Sequence, residues 1–201
     1  IIPPVALCTN VSPINLDATG SFTLNATTVN NNSTDNTAPL CPLSFDISVD
    51  GSSFGPAFNF DCSFLGNRVL TLRVTDAAGN TATCSQIVLV KDVTPPSITA
   101  PANTTINCDD STAPANTGTY SGVDDNCDPD PDVVQLPDGF INGSCANEFT
   151  IIRSWLATDA SGNTAVVSHQ IFVQDIEVPE FHIQSMIMLQ TNSNNCDAAL
   201  N

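Results

Sequence analysis

The densest run of potential metal ligands in this chain is an acidic segment between residues 124 and 132. Five of its nine residues are aspartates: Asp124, Asp125, Asp128, Asp130 and Asp132. Calcium prefers roughly six to eight oxygen ligands, and a loop stiffened by two prolines can supply several of them. The segment lacks the glycine and terminal glutamate of an EF-hand loop. It could therefore bind Ca²⁺, and the alternative is a solvated Asp/Pro turn.

Four further aspartates form a second candidate site. Asp92 and Asp175 each follow a strand-like run and precede a proline-bearing joint, while Asp76 and Asp159 lie in the turns before those runs. Carboxylates in these places could clamp neighbouring domains through a cation. Alternatively, Asp76 and Asp159 only cap type I turns ahead of a glycine.

The eight cysteines favour disulfides over a metal centre. None of them forms a C-x-x-C pair, and they are spread too widely for a zinc module. Disulfides persist in oxidising compartments, so the chain is expected to be extracytoplasmic.

Residues suited to catalysis are scarce. His169 and His182 are the only side chains that could act as bases near neutral pH. His169 aligns with Gln86 at a polar strand position and is expected to be exposed. His182 has no nucleophile near it in sequence, and no G-x-S-x-G, P-loop or H-E-x-x-H motif occurs. We therefore expect no enzymatic activity.

The charge balance excludes two classes of partner. The chain has 21 acidic residues against four Lys and Arg, a net charge of −17. Nucleic acid and anionic membranes both require a cationic surface, so neither is an expected partner. No apolar run approaches the roughly 20 residues of a membrane span, and no leader is visible.

An internal repeat indicates which structural elements hold the candidate residues in place. Thr75–Ala82 recurs as Thr158–Ala165, a shift of 83 residues, and each copy precedes an alternating strand and an acidic, proline-bearing joint. Strands at this spacing without intervening helices predict tandem antiparallel β-sandwiches. The same shift places Trp155 at the position of Leu72, so Trp155 is expected in a core.

The repeat also predicts domain bounds. Residues 1–93 form the first repeat, 94–176 the second, and 177–201 the first strand of a truncated third. That last segment could instead complete a neighbouring chain by strand addition and build a filament.

The cysteines align with the repeat. Cys62 lies 14 residues before Asp76, and Cys145 lies 14 residues before Asp159. The predicted disulfides are Cys8–Cys84, Cys41–Cys62 and Cys127–Cys145. Val167 replaces the counterpart of Cys84, so Cys108 and Cys196 either pair with each other or remain free.

The motifs resemble a known family. The sequence Thr-Asp-Ala-Ala-Gly-Asn-Thr-Ala-Thr-Cys at 75–84, followed by the joint at 92–96, is similar to the hyalin repeat of large surface proteins of gliding and marine bacteria. Motifs at 15–20, 33–36 and 60–63 resemble one repeat subtype, and those at 106–112, 125–129 and 143–145 a second. The resemblance implies an immunoglobulin-like sandwich, secretion and a stalk or adhesin role. It supplies no catalytic residues.

Together these features predict an all-β, non-enzymatic module at the cell surface, stiffened by disulfides and Ca²⁺. Its expected partners are neighbouring repeats of the same polypeptide and, further, surface glycans or other proteins. The rival hypothesis is an accessory carbohydrate-binding or linker domain of a secreted hydrolase. Carbohydrate sites usually require exposed aromatic residues, of which the sequence offers few.

Overall fold

The computed structural model describes residues 2–36, 42–144 and 148–178, and this part of the chain consists mainly of strands. The strands are β1 (Ile14–Asn15), β2 (Ser21–Asn25), β3 (Ser44–Val49), β4 (Ala57–Asp61), β5 (Gly66–Thr75), β6 (Thr81–Lys91), β7 (Ser97–Thr99), β8 (Thr104–Asn107), β9 (Ser121–Asp124), β10 (Asp132–Gln135), β11 (Gly139–Asn142), β12 (Phe149–Thr158) and β13 (Thr164–Gln174). The helices α1 (Ala26–Val29) and α2 (Pro114–Thr117) are single turns, and a 3-10 turn covers Cys62–Phe64. Within the described residues, none of the helices could span a bilayer.

Strands β1–β6 build what we call the first unit. Its larger sheet has the order β1-β6-β5-β3, in which β1 and β6 run parallel and the other neighbours antiparallel. The antiparallel pair β2–β4 forms a smaller sheet. Leu24 and Phe60 from the small sheet share one buried cluster with Leu70 and Leu72 from the large one. The two sheets therefore enclose a common core.

Strands β7–β13 build the second unit. Its larger sheet has the order β10-β12-β13-β8, with β11 pairing further along β12, and β7 pairs with β9. The pair β8–β13 is parallel, like β1–β6 in the first unit. The long hairpins also coincide, because β12 and β13 begin 83 residues after β5 and β6. The repeat read from the sequence is thus a repeat of structure.

The alternation of apolar residues explains the cores. Leu70, Leu72 and Val74 on one face of β5 are fully buried, as alternate positions of a half-buried strand must be. Trp155, which aligns with Leu72, is 2% exposed, and this confirms its predicted place in the second core. The chain is therefore an all-β protein of two tandem sandwich-like units. Residues 179–201 lie outside the described residues, and they include His182 and all but the first two residues of the predicted third repeat at 177–201.

The turn between β5 and β6 is held by Asp76. Its carboxylate accepts hydrogen bonds from the Asn80 side chain at 2.7 Å and from the backbone N–H groups of Asn80 and Ala78 at 2.8 and 2.9 Å. The Asn80 side chain is the largest cause that lowers the pKa of Asp76, the backbone donors lower it further, and burial opposes them.

Asp76→Asn should lower stability most above about pH 4, the ordinary pKa range of an aspartate. Because the pKa of Asp76 is lower in the folded state than in the unfolded state, its stabilisation is complete above the unfolded pKa. It is lost as the pH falls through the folded pKa. Urea unfolding of both proteins between about pH 2 and pH 7 measures this. A stability difference that stays constant over that range would contradict the expectation.

Candidate metal site between the two units

The turn between β12 and β13 fixes the first carboxylate of the site. Asp159 Oδ1 accepts from the Asn163 N–H, and Oδ2 accepts from the Asn163 side-chain amide, both at 2.8 Å. Gly162 has φ of +89°, a conformation that strongly favours glycine. The arrangement matches that of Asp76 in the first unit. Here, however, the Asn163 amide also donates to the backbone carbonyl of Asp92 at 3.3 Å, so this turn contacts the first unit.

Asp92 supplies the second carboxylate from the end of β6. Its Oδ1 accepts from the Thr94 N–H at 3.0 Å. Its Oδ2 is buried and has no hydrogen-bond partner. The whole residue is only 6% exposed. A buried carboxylate oxygen without a partner is costly, so it indicates a missing donor or cation.

Asp125 supplies the third carboxylate from the loop of residues 125–131, which we call the acidic loop. Its Oδ1 accepts from the backbone N–H groups of Cys127 and Asp128, both at 2.9 Å, while its Oδ2 is buried without a partner. Asp128 ties the loop to the neighbouring turn, because its Oδ2 accepts from the Ala160 N–H at 2.8 Å. The loop is therefore held in place while one oxygen of Asp125 stays available.

These three residues, which we call the acidic triad, converge between the units. One carboxylate oxygen from each of Asp92, Asp125 and Asp159 lies within 4.8 Å of the others. Oxygens bound to one Ca²⁺ at about 2.3–2.6 Å can be no farther apart than about 5 Å, so the spacing suits a shared ion. The triad could therefore bind a metal ion.

Electrostatics favour the same conclusion. At an effective dielectric constant near 20, two ionised carboxylates 4.8 Å apart repel by roughly 3 kcal/mol. Within the described ranges, the ion pairs all lie elsewhere: Arg68–Asp50, Arg73–Asp46 and Arg153–Asp138. No side-chain cation in those pairs neutralises the triad, and a divalent ion would.

Two clefts open beside the triad. One is lined by Thr94, Asp125 and Asn126, and the other by Asp92 and Asn163. Each cleft therefore borders one member of the triad.

The acidic triad draws its residues from both of the sites predicted from the sequence. Asp92 and Asp159 come from the predicted joint site and Asp125 from the predicted acidic loop. The other candidates do not belong to the triad. Asp124, Asp130, Asp132 and Asp175 are exposed, Asp128 bonds to the neighbouring turn, and Asp76 belongs to the β5–β6 turn of the first unit.

The disulfides differ partly from the prediction. The predicted Cys8–Cys84 bond is present. Cys62 bonds to Cys127, so the predicted pairings of Cys62 with Cys41 and of Cys127 with Cys145 are wrong. The aligned pairings assumed that each unit is closed on itself, whereas this bond joins the two units. Cys41, Cys145 and Cys196 lie outside the described residues, and Cys108 is an exposed free thiol.

His169 also departs from its prediction. It is 2% exposed, its ring stacks on Trp155 at 5.4 Å between centroids, and its Nδ1 lies 3.3 Å from the Ala102 carbonyl oxygen. Its aligned partner Gln86 likewise donates from its side chain to a backbone carbonyl, that of Thr9. The position faces a crossing backbone segment, so the polar side chain there lies near a backbone carbonyl. In the second unit His169 is buried, whereas Gln86 in the first unit is half-buried.

Comparisons with known proteins do not identify a family for this chain. No family model and no curated protein matches the chain. It is similar to the fibronectin(III)-like modules of Clostridium thermocellum CbhA, with 17% identity, TM-score 0.31, and coverage of 86% of this chain and 96% of that one. It is also similar to carbohydrate-binding modules of the β-sandwich superfamily, with 11% identity, TM-score 0.34, and coverage of 88% of this chain and 87% of that one. For the human desmocollin-1 ectodomain the identity is 10%, the TM-score 0.34, and the coverage 88% of this chain and 43% of that one. Scores this low carry no argument about function, and the fold follows from the sheets above.

Proposed function

We propose that this chain is a non-enzymatic spacer module of a secreted or cell-surface repeat protein of the hyalin-repeat type. Its two units serve as part of a stalk or adhesin. Ca²⁺ bound by Asp92, Asp125 and Asp159 stiffens the joint between them, together with the Cys62–Cys127 bond. The observation that carries the proposal is that three carboxylates from both units converge where the units meet, two of them with unpartnered buried oxygens.

The chemistry of the surroundings supports an extracellular calcium site. The two disulfides of the described residues are typical of a protein in an oxidising compartment. Extracellular modules typically bind Ca²⁺ with a Kd of about 10⁻⁴–10⁻³ M, which suits a site with few charged ligands. The triad offers three carboxylates, which are hard oxygen donors.

The ends of the two units support a tandem arrangement. Asp175 follows β13 as Asp92 follows β6, and its Oδ1 accepts from the N–H of Glu177, two residues later, as Asp92 accepts from Thr94. At the other end, Asp76 holds the same turn geometry as Asp159. A neighbouring repeat of the same polypeptide would therefore meet an aspartate placed like Asp92 at one end of the chain and one placed like Asp159 at the other.

Calcium titration by calorimetry tests the proposal with one matched pair of variants. We expect the intact chain to bind one Ca²⁺ with sub-millimolar affinity, and Asp125→Asn to weaken this by about tenfold or more because it removes a charged ligand. Asp130→Asn removes the same charge from an exposed position of the same loop and should change little. Equal binding by both variants, or none by the intact chain, would refute the site.

A further inference from the structure

We infer that the Cys62–Cys127 disulfide positions the acidic triad, so that the affinity for Ca²⁺ depends on the redox state of this bond. The inference rests on the proposed function, because it takes the triad as a calcium site. Of the two disulfides in the described ranges, Cys8–Cys84 lies within the first unit and Cys62–Cys127 joins the units.

The bond pins the acidic loop against the first unit. Cys62 begins the 3-10 turn after β4, and Cys127 lies in the acidic loop. Beside the bond, the Asn126 side-chain amide donates to the Asp17 carbonyl at 3.0 Å. A Cβ on Gly20 would come within 2.7 Å of Cys62 Sγ and 3.1 Å of the Asn126 carbonyl oxygen. The turn at 17–20 therefore fits closely around the bond.

The same loop residue that carries the bond also orients a ligand. The Cys127 N–H donates to Asp125 Oδ1, which leaves Asp125 Oδ2 as the unpartnered oxygen. Asp92 belongs to the first unit, whereas Asp125 and Asp159 belong to the second. The bond thus holds Asp125 against the unit that supplies Asp92.

Opening the bond removes that covalent constraint. A dithiol such as dithiothreitol donates two electrons and two protons, the S–S bond breaks to give two thiols, and the dithiol becomes its cyclic disulfide. The Asn126–Asp17 hydrogen bond and the connecting chain remain, so we expect the site to loosen rather than disappear. A coupling of about tenfold in Ca²⁺ affinity is typical of two linked sites.

Coupling of this kind is reciprocal. If opening the bond weakens Ca²⁺ binding tenfold, bound Ca²⁺ must disfavour reduction of the bond by the same factor. For a two-electron couple this corresponds to about 30 mV. Calcium would thereby protect the bond that organises its own site.

Two double variants test the effect on affinity. By calorimetry, Cys62→Ser/Cys127→Ser should bind Ca²⁺ about tenfold more weakly than the intact chain, since the backbone N–H of residue 127 remains but the covalent link does not. Cys8→Ser/Cys84→Ser also loses one disulfide, but within a single unit, and should bind normally. Equal affinity in the two variants would overturn the inference and leave the proposed function standing. Absence of Ca²⁺ binding to the intact chain would instead refute the proposed function itself.

Reduction of the intact chain provides a test that does not depend on how the variants fold. The free Cys108 thiol is first alkylated. The chain is then equilibrated with dithiothreitol redox buffers, and newly exposed thiols are alkylated and assigned by peptide mass. Saturating Ca²⁺ should shift the reduction equilibrium of Cys62–Cys127 by about tenfold and leave that of Cys8–Cys84 unchanged. An equal shift for both bonds, or for neither, would contradict the inference.

Discussion

Calcium should raise the melting temperature of the intact chain by on the order of 10 °C. A ligand present at about 100 times its Kd stabilises the folded state by about 2.7 kcal/mol. A protein of about 150–250 residues shifts by roughly 2–4 °C per kcal/mol. Thermal unfolding followed by circular dichroism, in excess Ca²⁺ and in EDTA, measures the difference.

Asp125→Asn should affect the melting temperature in opposite ways in EDTA and in Ca²⁺. In EDTA the variant is expected to melt at or above the intact chain, because one of three mutually repelling carboxylates is gone. In Ca²⁺ it is expected to melt below the intact chain, because a ligand is gone. The control Asp130→Asn should follow the intact chain in both. If the intact chain melts at the same temperature in Ca²⁺ and in EDTA, Ca²⁺ does not stabilise the folded chain and the proposed calcium site is wrong.

Asp138→Ala should destabilise the second unit by about 3–5 kcal/mol, the usual cost of leaving a buried charge without its partner. The Arg153 side chain is only 5% exposed. Its Nε and Nη2 donate to the two oxygens of Asp138 at 3.2 and 2.9 Å, and its Nη1 donates to Thr117 Oγ1 at 2.9 Å. Denaturant unfolding monitored through Trp155 fluorescence would report on this unit.

The alignment of the two repeats provides matched controls for the Asp138→Ala variant. Position 153 aligns with Leu70 of the first unit, so the double variant Asp138→Ala/Arg153→Leu removes both charges and should be more stable than Asp138→Ala alone. Asp46→Ala breaks a pair with Arg73 whose side chains are 27% and 35% exposed, and should cost at most about 1 kcal/mol. A double variant less stable than the single one would show that the arginine does not depend on Asp138.

The sequence predicted the features that depend on local chemistry. Asp76 and Asp159 occupy equivalent turns with the same bonds to the asparagine four residues later, because the turn is specified within six residues of each repeat. The 83-residue shift likewise predicted the buried place of Trp155, which aligns with Leu72.

The contacts between the two units could not be predicted from the repeat. An alignment of two repeats compares each unit with the other, and it carries no information on which surfaces meet. It therefore paired Cys62 and Cys127 within their own units, although they bond to each other. For the same reason it assigned Asp92 and Asp125 to two separate sites, whereas the structure places them in one triad.

The polar residues of the second core were missed for a different reason. Arg153 and His169 lie on paired strands, and both are almost fully buried. A rule that places polar residues outside fails where a carboxylate, a hydroxyl or a backbone carbonyl lies within hydrogen-bonding distance. The replacement of Leu70 by Arg153 in the aligned strand was the available signal that this core contains a polar layer.

The most direct measurement is the position of a bound ion. Crystals grown with Tb³⁺, which replaces Ca²⁺ on oxygen ligands, would be measured at the terbium absorption edge. We expect an anomalous peak about 2.3–2.6 Å from carboxylate oxygens of Asp92, Asp125 and Asp159 at once. A peak confined to exposed carboxylates such as Asp130 or Asp132, with none between the two units, would contradict it.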